Sequence, residues 1–289
     1  MTIRIENICP DFFAFWEQAQ GCSLAEQKQL WQTMYEELHR DVFDVYYRRW
    51  GDPARLDEAL GKFSQVVQKL QEIVHDVEHR IKRAVTNCAQ VFDMPESDFE
   101  FVVMVGLFTS NGWATTFRGK PTSFLALECF TEPHYLDILI AHETAHSFHT
   151  QCGSGEWPDF AVGEGLFREG LATMASAVMY PGAMEAEYLW FGPGYNGWMA
   201  ECLSRWPELC QRFLRDLAQI DETLYTAYFG GKGPEVGLPK RVGYIVGYRA
   251  IAALSQRHTI AEMARWSPEH SVAEVKRVLK KMLKGCVSS

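Results

Sequence analysis

The string His142-Glu143-Thr-Ala-His146 sets two imidazoles four residues apart. On a helix that spacing brings both to one face, at a separation that one metal ion can bridge. Imidazole suits zinc, whose catalytic sites take three protein ligands and keep a position for water. One zinc ion per chain is therefore expected. Glu143 stands about 100° round the helix from His142, flanking the ion without ligating it, where the general base for a zinc-activated water belongs. Leu139, Ile140, Ala141, Thr144, Ala145, Ser147 and Phe148 carry no charge, so the helix should be buried, and buried polar groups need partners. His149 comes three residues after His146 on nearly the same face. A third ligand from one helix strains the geometry, so His149 is kept as an alternate, placed behind the ligands or at the surface. The plainer reading is a pair of hydrogen-bonded core histidines beside a solvated Glu.

The third ligand must come from another element. Glu164 and Glu169 lie in Val162-Gly-Glu-Gly-Leu-Phe-Arg-Glu169-Gly-Leu-Ala172 and point about 140° apart on a continuous helix, so only one of them can face the ion. Glu169 is favoured because Gly170, Ala172, Thr173 and Ser176 are small and let its helix approach the histidine helix. Glu164 is the alternate, a first-turn residue whose charge suits a helix N-terminus.

Around these residues the sequence predicts helices, then a short sheet, then more helices. Ser23-Leu-Ala-Glu26 has the form of a capping box and should start a helix to about Trp50 with Leu30, Met34, Leu38, Val42 and Val45 on one stripe. After Gly51-Asp-Pro53, apolar residues from Phe63 to Val91 recur at spacings of three and four, which predicts the longest helix. Strands are expected over Phe99 to Leu107, Trp113 to Phe117 and Ser123 to Phe130, the last two joined by Arg118-Gly-Lys-Pro as a hairpin. Thr131-Glu-Pro133 should open the histidine helix, with Thr131 as its cap. Beyond it the pattern stays helical, broken at Gly192-Pro-Gly, Trp206-Pro, Phe229-Gly-Gly-Lys-Gly-Pro and Ser267-Pro. The division expected is an N-terminal helical region over 1–95, packed on a metal-bearing part over 96–289 as one unit.

The 289 residues are 47% hydrophobic and 22% charged, a composition that folds rather than one that stays disordered. Lys plus Arg number 28 against 37 Asp plus Glu, a formal charge of −9, which argues against a nucleic-acid partner. No signal peptide or 18-residue apolar run is visible, so neither secretion nor a membrane span is expected. Eight cysteines (Cys9, Cys22, Cys88, Cys129, Cys152, Cys202, Cys210 and Cys286) form no C-x-x-C pair and read as reduced thiols of a cytoplasmic protein.

His142-Glu-Thr-Ala-His146 followed by Glu169-Gly-Leu-Ala172 resembles the gluzincin metallopeptidases, the thermolysin-like clan. More narrowly, Phe99 to Arg249 is similar to a family of zinc-dependent proteases catalogued without an assigned function, in which a strand hairpin, an H-E-x-x-H helix, an E-G-L-A helix and a Gly-Tyr-rich helix succeed one another. Gly243-Tyr244-Ile-Val-Gly247-Tyr248-Arg249 fits the last of these. The resemblance covers about half the chain and leaves out the first 95 residues. It implies an α+β, mostly helical fold with a zincin-like core and a small, largely antiparallel sheet. It also implies peptide-bond cleavage in which Glu143 takes a proton from water and passes it to the leaving amine. The oxyanion needs a further donor; Tyr244 is the candidate, Tyr248 one turn on is its alternate, and two tyrosines packing at a helix interface is the plainer reading. Substrates of the clan lie like an added strand on the sheet edge. Asn111 to Phe117 sits at the corresponding place, so the backbone of Trp113, Ala114 and Thr115 is the candidate substrate edge, an ordinary hairpin strand being the alternative.

The expected function is a zinc peptidase acting on peptides or unfolded protein segments. A zinc hydrolase of non-peptide amides or esters would use the same residues. A zinc-binding interaction protein would have no use for Glu143.

Overall fold

The computed structural model describes residues 2–130, 132–152, 155–230 and 237–287. The chain forms two compact units, residues 1–86 with 95–147 and residues 87–94 with 148–289.

The first unit opens with β1 (Thr2–Asn7) and α1 (Cys9–Ala19), followed by α2 (Leu24–Trp31), α3 (Arg40–Arg49) and the greater part of α4 (Leu56–Val91). The capping box is present: the Ser23 hydroxyl accepts from Glu26 N–H, and the Glu26 carboxylate accepts from Ser23 N–H. The helix expected to reach Trp50 does not continue. Residues Gln32–Glu36 form a π-helical turn, with Glu37 N–H donating to Gln32 O. Such a turn rotates the helix face, so the expected stripe is broken in its first part, while Val42 and Val45 beyond the turn are buried as expected. Leu38 is 61% exposed, Leu30 and Met34 are half-buried, and Trp31, Tyr35, Phe43 and Tyr46 are buried. Trp31 is the hub, its ring meeting Phe12, Phe15, Tyr35, Phe43 and Phe63 at centroid distances of 5.0–6.3 Å. Aromatic rings bury large areas, and these rings form the aromatic contacts around Trp31. The long helix α4 is present as expected and buries Phe63, Leu70, Ile73, Val77, Ile81, Ala84 and Val85.

The sheet adds β2 (Asp98–Met104), β3 (Gly112–Phe117) and β4 (Lys120–Ala126) in the order β1-β2-β4-β3. The fold is α+β and mostly helical, but the sheet is mixed rather than largely antiparallel. β1 with β2 and β2 with β4 are parallel, and only the β3–β4 hairpin is antiparallel. The hairpin turns on Arg118 (φ 48°) and Gly119 (φ 78°) between the paired Phe117 and Lys120, the two positive-φ residues of a type I′ turn. It docks through β4, which leaves β3 at the sheet edge. β4 ends at Ala126, and Leu127–Cys129 form a 3₁₀ turn in place of the expected strand end. α5 (Pro133–Gln151) begins in this unit; its expected cap Thr131 lies outside the described residues.

The second unit holds the end of α5 and then α6 (Val162–Met179), α7 (Glu185–Trp190), α8 (Asn196–Ser204), α9 (Trp206–Asp216), α10 (Glu222–Phe229), α11 (Val242–Leu254), α12 (Ile260–Met263) and α13 (Pro268–Val287). The breaks expected at 192–194, 206–207 and 267–268 fall at helix boundaries, while that at 229–234 runs into residues 231–236, outside the described ones. α6 and α11 cross at two glycines. A Cβ on Gly170 would fall on the carbonyl oxygen of Gly247, and one on Gly247 on the carbonyl oxygen of Leu166. Because these obstacles are backbone, Gly247→Ala is expected to cost about 2–3 kcal/mol. Gly61 in α4 has nothing within 4 Å of an added Cβ, so Gly61→Ala should stabilise by up to about 1 kcal/mol. Denaturant melts of the two variants check both signs.

No helix among the described residues is long and apolar enough to cross a membrane. The seven cysteines whose side chains are described are free thiols; the side chain of Cys286 lies outside the described ones.

Candidate metal centre

α5 is buried on nearly every side over Leu136 to His149, as the uncharged residues round the histidines require. It is tied to its surroundings by polar contacts. Asp137, 8% exposed, receives both Arg80 Nη1 contacts at 2.9 Å and Arg83 Nη2 at 3.0 Å from α4. On the sheet side, Ser123 of β4 bonds Ser147 Oγ at 2.9 Å and donates to the Glu143 carbonyl at 3.4 Å. The available sign of Asp137 was a carboxylate set among Leu136, Ile138, Leu139 and Ile140; its two arginines lie far off in sequence.

On this helix the Nε2 atoms of His142 and His146 converge to 3.1 Å, with ring planes at 84°. Two nitrogens about 2.0–2.1 Å from a tetrahedral ion stand about 3.3 Å apart, so the pair fits a shared zinc. Ligand atoms of His142, His146 and Glu169 all lie within 4.8 Å of one another. Two imidazoles and one carboxylate are a donor set that zinc takes in hydrolytic sites. Among the described residues no other group of three His, Cys, Asp or Glu approaches so closely.

The alternates lie elsewhere. His149 is buried rather than at the surface, its ring 4.7 Å from Trp157 and 5.8 Å from Phe167. Glu164 sits in the first turn of α6, where burial holds its carboxyl above the usual range and the like charge of Glu269 adds to the effect. Gly170 was expected to bring α6 against the histidine helix, but its missing side chain is used against α11.

Glu143, 6% exposed, has β3 laid over it. A Cβ on Gly112 would come within 3.2 Å of Glu143 Cγ and 3.1 Å of Leu139 Cδ2, so a side chain there would push these neighbours back by a few tenths of an ångström. Trp113 turns to the other face of the sheet, its ring stacked on Tyr46, Trp50 and Phe124 at 5.1–5.5 Å. Ala114 pairs with Ser123 and is exposed, while Thr115 pairs with Thr122 and is half-buried. What these three residues offer a strand-like ligand is therefore mainly their backbone. Tyr244 on α11 has the Arg241 guanidinium 4.0 Å above its ring centre. Gly243 below it leaves room for the ring of Phe229. Burial raises the phenol of Tyr248, and the charge of Glu185 raises it further.

An α+β chain with a His-His-Glu group on two buried helices belongs, at the coarse level, with the zinc hydrolases. The family comparison agrees: the chain belongs to the family described as predicted Zn-dependent protease (DUF2268), whose model matches residues 77–273. That match begins in α4 and runs into α13, further in both directions than the motifs alone reach. No curated protein and no solved structure matches the chain.

Proposed function

We propose that the protein is a gluzincin-type zinc peptidase in which His142, His146 and Glu169 hold one zinc ion. The observation that carries this reading is the grouping of those three ligand atoms within 4.8 Å, with Glu143 next to His142 on the same helix. When bound, zinc acts as a Lewis acid and lowers the pKa of water. Glu143 then accepts the proton of the attacking water and returns it to the leaving amine. The Tyr244 hydroxyl donates to the developing oxyanion, and the exposed edge of β3 pairs with an extended substrate. A zincin-like core and a cytoplasmic setting belong to the same reading; the free thiols support the latter.

Protein purified without chelators should carry about one zinc per chain, and the zinc-loaded form should cleave a peptide library. Cleavage should stop with a chelator and return with zinc. Absence of metal from protein with both histidines intact would sink the reading. Zinc-dependent hydrolysis of small esters with no cleavage of any peptide would move it to a non-peptide hydrolase.

A further inference from the structure

The connection between β2 and β3 has an arrangement that the zinc chemistry does not explain. Four successive backbone N–H groups each donate to a buried side chain. Val105 N–H donates to Tyr35 Oη at 2.8 Å, Gly106 N–H to Glu128 Oε2 at 2.7 Å, Leu107 N–H to Tyr46 Oη at 2.8 Å and Phe108 N–H to Glu128 Oε1 at 3.0 Å. The Tyr46 hydroxyl also bonds Thr109 Oγ1 at 2.6 Å. Gly106 is pressed into this cradle, since a Cβ there would come within 2.8 Å of Glu128 Oε1. Phe108 is held at φ 57°, a conformation that a non-glycine residue keeps only where its surroundings impose it. The same connection runs on through Asn111, whose carbonyl accepts from Ala126 N–H, to Gly112 against Glu143.

We propose that Glu128 is a positioning residue of the hydrolytic site: its carboxylate grips the Gly106 and Phe108 amides and so fixes how closely the edge strand β3 lies over Glu143. This rests on the peptidase reading for its catalytic consequence, though not for the grip itself. Two converging N–H donors call for an acceptor-only group, and of the uncharged alternatives even Gln would turn an NH₂ toward one of them. Burial alone raises the Glu128 carboxyl, to about 7, while the backbone N–H groups of Gly106, Glu128 and Phe108 pull against it. The other titratable groups facing it are Cys9, Tyr35 and Tyr46, all raised by burial and therefore neutral near pH 8, and the exposed Cys129, whose thiol is raised by partial desolvation and by the charge of Glu128. Lys62 acts on Cys129 and lies 5.4 Å from the centre of the Phe108 ring.

The test compares Glu128→Gln with the unaltered chain at pH 8, at equal zinc content and equal folded fraction. Amide hydrogen exchange should accelerate at least about tenfold at whichever of Gly106 and Phe108 faces the new NH₂, and much less at Val105 and Leu107, which keep their tyrosines. Unchanged exchange at 106 and 108 overturns the grip, whether or not the protein is a peptidase. With fluorescein-labelled casein, kcat/KM should fall about tenfold or more. Gly112→Ala should also lower it, and the double variant should lose clearly less than the product of the two single losses, because both act through the same strand. Independent, multiplying losses would overturn the catalytic role while leaving the zinc reading intact. A wild-type protein that binds zinc and cleaves nothing would overturn the peptidase reading and leave the exchange result to decide the grip.

Discussion

Glu143→Gln is expected to retain zinc and to lose peptide hydrolysis by about 10²- to 10⁴-fold, the range over which a positioned acid–base group contributes. The substitution is nearly isosteric, so the close approach of the side chain to Gly112 survives and the fold should not report the change. An amide cannot take a proton from water at neutral pH, and this is the only function removed. His142 and His146 keep their positions on α5 because the helix is anchored by Asp137 and Ser147 rather than by residue 143. Zinc content, melting temperature and kcat measured on the same sample separate the possibilities. A Gln variant as active as the parent would remove Glu143 from the mechanism.

The second large effect concerns the third ligand. Glu169→Ala should weaken zinc binding by more than the about 10- to 100-fold that loss of a group merely supporting a ligand costs, whereas Glu164→Ala should leave affinity within a few-fold. Glu169 shares the 4.8 Å grouping with both histidines; Glu164 is held in the first turn of α6, raised by burial and by Glu269. Competition against a chromophoric chelator measures both variants on one scale. The reverse ranking would exchange the two residues in the site.

What could be seen in the sequence is what depends on neighbours along the chain. The His-Glu-His helix, the capping box at Ser23, the long α4 and the Arg118-Gly119 turn all follow from spacings of a few residues. The missing pieces depend on partners far away. β1 has only Ile3 and Ile5 as alternating apolar residues, and it is a strand because β2 pairs with it across more than ninety positions. The parallel pairings follow from which strand of the hairpin docks, which no local pattern encodes. The π-helical turn at Gln32–Glu36 is selected by a ring of aromatics drawn from four separate segments around Trp31. Glu128 is one charged residue within the expected strand Ser123 to Phe130; only its distance from two amides makes it conspicuous. At the site, His142 and His146 needed one helix and were legible. Choosing between two glutamates depends on a second helix far along the chain, and Gly170, one of the small residues that suggested Glu169, packs on α11 instead.

The glycine crossing of α6 and α11 gives that last point a wider meaning. Gly170, whose amide follows Glu169 directly, rests on the backbone of Gly247, three residues from Tyr244. Main chain against main chain leaves no side chain to flex, so the joint has almost no mechanical slack. Glu169 and Tyr244, which the proposed mechanism uses as ligand and oxyanion donor, are therefore carried by two helices held in direct backbone contact. On that reading, a bulkier residue at Gly170 or Gly247 would disturb metal affinity and the oxyanion donor together, although neither glycine touches substrate or metal.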